Sequence, residues 1–144
     1  MYPKRKIQIV VDSLMPSFVS MLKLESYKIE LTVVAPKEDI EILRPYKEAY
    51  GNLAGLTLFL DATKPTYAKI FIFSKECSSK KDAINTLVHE LLHIKFRSID
   101  KYIPKSRLAK AHIAEEEFVK RAADLAVLLI EPKVLAVIDW IDTQ

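Results

Sequence analysis

Residues 89–93 of this 144-residue chain read His89-Glu90-Leu91-Leu92-His93, and this run restricts the fold more than any other feature. On a helix, side chains four residues apart share a face, one turn from each other. Two imidazoles so related can bind one Zn²⁺ at the ~2.0–2.1 Å that Zn–N bonds require. Glu90 directly follows the first histidine. There its carboxylate can take a proton from a water that the metal activates, without being a ligand itself. The flanks are apolar, Leu87 and Val88 before and Ile94 and Phe96 after, so the helix needs a second layer to bury that side. It also needs one more donor from elsewhere, because a catalytic zinc has three protein ligands and an open position.

The rest of the chain reads as α+β. Residues 6–13 (KIQIVVDS) are rich in β-branched residues and read as a strand, with a short helix over 17–24 after Pro16. Residues 28–35 form a second strand, ended by Pro36. Residues 39–51 read as a helix or helical turn that Pro45 kinks. Residues 56–63 and 68–75 (AKIFIFSK) are the clearest strand pair, the latter just before the metal helix. The sheet is therefore expected to have three or four strands, mostly antiparallel.

The second half is helical. Ser79 with Asp82 resembles a capping box that opens a helix running to about Phe96. Ile84, Leu87, Val88, Leu91 and Ile94 recur along it at helical spacing. A second helix spans about Ser106 to Ile130, and Pro132 suits the first position of a third over 132–142. The whole reads as one domain, 1–144. Its tail, 131–144, carries an apolar stripe of Val134, Val137, Ile138 and Ile141. That tail packs on its own domain, covers a cleft, or pairs with a second copy as a homodimer.

The third ligand comes from the second helix, which offers His112, Glu115, Glu116 and Glu117. At 100° per residue, Phe118, Ala122, Leu125, Ala126 and Leu129 define an apolar face. Glu115 points into its middle, Glu116 and His112 sit at its edge, and Glu117 lies opposite. A carboxylate centred on an apolar face is costly unless something pairs it, so Glu115 is the first choice. A Glu-rich first turn that complements the helix dipole accounts for the others.

HELLH followed by a glutamate on a second helix resembles the gluzincin class of zinc metallopeptidases, and the short chain is similar to the minigluzincins. EEEFVKRAADLA is also similar to the E-x-E-A-N-x-F-A-A pattern of ImmA/IrrE-like peptidases, a register that again puts the ligand on Glu115. The likeness covers residues 68–126. It implies a zincin-like fold and peptide hydrolysis with Zn²⁺ as cofactor, held by His89, His93 and Glu115, and Glu90 as general base. It also implies a peptide or protein substrate lying along a sheet edge, for which AKIFIFSK (68–75) is the expected strand. The chain departs from the pattern in two places. Val119 stands where many gluzincins carry an Asp or Asn that braces a zinc histidine, and no second-domain histidine follows to stabilise an oxyanion, for which Tyr102 is the nearest candidate. Two alternatives remain open: an SprT-like protease that uses His112, and a non-catalytic or self-inhibited zinc-stabilised module.

Composition narrows the setting. Half of the residues are hydrophobic and 28% are charged, which excludes a disordered chain. No apolar run approaches the ~20 residues of a membrane-spanning helix, and no signal-peptide pattern is visible, so a cytoplasmic protein is expected. The net charge of +3 gives no ground for a nucleic-acid partner. The single cysteine, Cys77, reads as a buried structural thiol rather than a ligand.

Overall fold

The computed structural model describes residues 2–46, 53–59, 63, 66–97 and 100–128. Helix α1 (Lys4–Met21) is followed by strand β1 (Lys28–Val34), a 3-10 turn (Glu41–Tyr46), and strands β2 (Gly55–Leu58) and β3 (Tyr67–Phe73). Helix α2 (Lys80–Arg97) and helix α3 (Leu108–Leu128) complete the described part. The architecture is α+β. The tail helix expected over 132–142, and with it the covering and homodimer readings of residues 131–144, lies outside the described residues. No helix among the described residues is long and apolar enough to cross a membrane.

Residues 6–13 correct the sequence reading: they belong to α1, and the helix runs through Pro16 instead of starting after it. Ile7, Val10, Val11, Leu14 and Phe18 are its buried residues, positions i, i+3, i+4, i+7 and i+11 of one helical face. Alternation would have buried Ile9, which is 39% exposed. The β-branched bias of this segment is a preference of under ~1 kcal/mol per residue. Burying each large apolar side chain contributes ~1.5–3 kcal/mol, so the packing of the stripe wins.

The three-stranded sheet has the order β1-β3-β2 and is mixed, not mostly antiparallel. β3 runs parallel to β1, with Lys28 opposite Tyr67 and Val34 opposite Phe73. It runs antiparallel to β2, with Gly55 opposite Ile72 and Leu58 opposite Lys69. β3 is thus the central strand and not the expected edge. Its two faces are both covered: Ala68, Ile70 and Ile72 face the helical core. Phe71 and Phe73 pack with Leu43 of the 3-10 turn on the other side. A strand buried on both faces reads as a near-continuous apolar run, which is what IFIF is. The edge beside the metal helix is β2.

Helix α2 is the hub, packed against α1, α3 and β2. Its start is tied at several points. Ser79 Oγ accepts from the Asp82 N–H (3.2 Å), and Asp82 Oδ2 accepts from the N–H (3.0 Å) and hydroxyl (2.5 Å) of Ser78. The capping carboxylate therefore reaches one residue further back than a capping box would. Cys77, just before it, is fully buried in the core.

Candidate metal centre

Three elements build one cleft. Gly55, Thr57 and Phe59 come from β2 and its end, His89, Glu90, His93 and Arg97 from α2, and His112, Glu115 and Glu116 from α3. Asp100 lies in the connection between the helices and also lines it, and the cleft holds about 480 Å³.

α2 and α3 meet through Val119 and Ala123, both fully buried, and through an edge-to-face contact of Phe96 with Phe118 at 5.1 Å. Asn85 Nδ2 donates to Asp124 Oδ1 at 2.5 Å. The buried face of α3 is therefore centred near Val119 and Ala123. Phe118 and Leu125, which suggested the apolar face in the sequence, are 54% and 56% exposed. At 100° per residue this turns the helix by roughly a quarter turn from the sequence expectation. Glu115 and Glu116 then flank the buried line instead of Glu115 standing on it.

That rotation changes which glutamate meets the histidines. His89 Nε2 and His93 Nε2 lie 3.1 Å apart. Glu116 Oε1 is 3.2 Å from the former and Glu116 Oε2 is 3.1 Å from the latter. Four-coordinate zinc with ligand bonds of ~2.0–2.1 Å holds its donors about 3.3 Å apart, so these three side chains could hold a metal ion with little movement. Glu115 Oε2 sits on the far side of the same ring, 3.0 Å from His93 Nδ1. With the ring proton on Nδ1 donated to Glu115, Nε2 presents a lone pair to the group. Glu115 thus stands where it could brace His93, a place that Val119 cannot fill. The structure thus brings His89, His93 and Glu116 together and sets the expected ligand Glu115 behind His93. No sequence signal separates the two adjacent glutamates, because alanines lie on both faces of the helix.

Electrostatics fit a metal-binding group. Burial lowers the His89 pKa, and neighbouring His93 lowers it further, so His89 stays neutral. Glu90 is only 6% exposed, and burial raises its pKa. The Thr57 hydroxyl opposes that shift by donating to Glu90 Oε2 at 2.5 Å. β2 can bring Thr57 this close because residue 55 is glycine. A Cβ there would stand 2.7 Å from Thr86 Cγ2 and 3.0 Å from Glu90 Oε1.

The remaining candidates sit apart from the three donors. His112 Nε2 lies 3.3 Å from Asp100 Oδ2, and both line the cleft. Glu117 faces away and pairs loosely with Arg121 at 3.9 Å. Tyr102 is 76% exposed and does not line the cleft. Comparison with known proteins yields no matching family model, no matching curated protein and no matching solved structure. What the site can do follows from its own residues.

Proposed function

We propose that the protein is a zinc-dependent peptidase of zincin type. One observation carries this reading. Two imidazole Nε2 atoms and the Glu116 carboxylate converge at 3.1–3.2 Å, while the intervening Glu90 stays out of the donor set and lines the same cleft. Two nitrogens and one carboxylate are a donor set that suits zinc and leaves an open position. A bound zinc would supply Lewis acidity to a scissile carbonyl and to the attacking water. Glu90 accepts the proton of that water and passes it to the leaving amine. Its raised pKa suits both halves of that transfer, and Thr57 fixes one of its oxygens. Glu115 orients the His93 ring. β2, which among the described residues pairs with β3 alone, supports the binding of an extended peptide along its other edge.

The test is elemental analysis of purified protein beside peptide hydrolysis. Wild type should carry one zinc per chain, His93→Ala and Glu116→Ala should lose it, and Glu90→Gln should keep zinc but lose hydrolysis. Absence of zinc in the wild type after reconstitution sinks the proposal. A second reading, a metal-stabilised module without turnover, draws on the deep burial of Glu90 and its bond to Thr57. Bound zinc with no hydrolysis of any peptide would favour it.

A further inference from the structure

Among the described residues, the arginine that lines the cleft pairs with none of the cleft's carboxylates. Each of these carboxylates already has a partner: Glu90 takes the Thr57 hydroxyl, Asp100 faces His112, Glu115 faces His93, and Glu116 faces both His89 and His93. Arg97 does not share in this. Its guanidinium carbon lies 4.0 Å above the centre of the Phe59 ring, and among the described residues it pairs with no carboxylate. Arg97 follows His93 by four residues, so it stands on the same face of α2, one turn beyond the metal group. Both Arg97 and Phe59 line the cleft.

Stacking has a geometric consequence. An aromatic ring holds the guanidinium by one flat face and leaves its in-plane N–H donors free. Those donors match the two oxygens of a carboxylate. Phe59 comes from the end of β2 and Arg97 from α2, so the pair bridges the two walls between which a substrate would lie. We propose that Arg97, stacked on Phe59 one turn beyond His93, is a subsite for a substrate carboxylate. The substrates are then peptides with an acidic side chain, or a free C-terminus, near the bond to be cut. This inference rests on the peptidase reading and names its substrate class.

Zinc-loaded wild type is incubated with peptide libraries that are randomised except for one fixed Glu, Gln or Lys, each made as the C-terminal acid and as the amide. Cleavage is read by mass spectrometry, and binding to zinc-loaded Glu90→Gln by fluorescence anisotropy. Glu libraries should be preferred over Gln libraries by about five- to tenfold, the strength of a charge-assisted pair weakened by partial exposure. If the carboxylate is the chain end, acids should exceed amides by that factor instead. In Arg97→Gln the ratio should fall to about one, and in Arg97→Glu it should turn toward Lys. Zinc content, measured in each variant, separates loss of the subsite from loss of the site. Cleavage or binding without charge preference, or a preference that survives Arg97→Gln, overturns the subsite and leaves the peptidase reading standing. Failure of every library with zinc bound overturns the peptidase reading and the subsite with it.

Discussion

Gly55→Ala is the sharpest test of how the cleft is walled. No glycine among the described residues has positive φ, so the backbone at residue 55 does not itself demand glycine. Space does. The added methyl would meet Thr86 Cγ2 at 2.7 Å, where ordinary contact begins near 3.4 Å, so β2 and α2 must separate by about 0.7 Å. Thr86 cannot simply turn away, because its hydroxyl donates to the Asp82 carbonyl at 2.8 Å. Overpacking of this kind costs ~1–3 kcal/mol, and the lower chain entropy of alanine returns ~0.5–1 kcal/mol. The net expectation is a loss of about 1–2 kcal/mol, or about 3–6 °C in Tm for a chain of this size. Thr86→Ser removes the offending methyl and keeps the hydroxyl bond. Added to Gly55→Ala, it should recover about 1 kcal/mol, which a double-mutant cycle in urea would read as coupling. A neutral Gly55→Ala, or additive single effects, would refute the close packing of β2 on α2.

Three further outcomes follow from other parts of the molecule. Glu116→Gln should weaken zinc binding more than Glu115→Gln, whose cost as a bracing partner is about 10- to 100-fold; competition with a chromogenic chelator gives the order, and the reverse order would restore Glu115 as ligand. In α1, Ile9→Asn should be tolerated within about 0.5 kcal/mol while Val10→Asn should cost at least about 3 kcal/mol, the opposite of what a strand would give, as thermal melts would show. Burial, aided by Asp82, pushes the Cys77 thiol up to about 11 from an ordinary value near 9. Because the folded pKa is the higher, this contribution is intact below pH 9 and is lost as pH rises through about 11, reaching about 2–3 kcal/mol. Alkaline unfolding of wild type against Cys77→Ala isolates it, and identical pH profiles would refute it.

Helix α2 was legible because two signals agreed, a 3.6-residue apolar period and two histidines four apart. β1 and β3 were legible as strands but not in order. IFIF carries the mark of a strand covered on both sides, and that mark outranks its position next to the metal helix. α1 misled because Ile7, Ile9, Val10 and Val11 satisfy a strand composition and a helix spacing at once. Pro16 then suggested a boundary that the packed stripe overrides. The sequence favours Glu115 over Glu116 because Phe118, Ala122, Leu125, Ala126 and Leu129 form an apolar face with Glu115 in its middle. Composition does not reveal how α3 is turned, because alanines lie on both faces; the contact with α2 runs through Val119 and Ala123, with Phe118 and Leu125 at its side. Thr57 and Gly55 were out of reach, since their meaning depends on a contact between segments more than thirty residues apart.

The two walls of the cleft have unequal lifetimes. α2 buries residues from Ala83 to Ile94 in the core, so the amide protons of that stretch should exchange only when the whole protein unfolds. β2 spans four residues and, among the described residues, is bonded to β3 alone. Its opening free energy should fall well below the global value, so Thr57 should part from Glu90 in brief local excursions while the histidines stay in place. The proton-handling side chain would thus be released on the timescale of one short strand, and the donor group would persist for the lifetime of the fold.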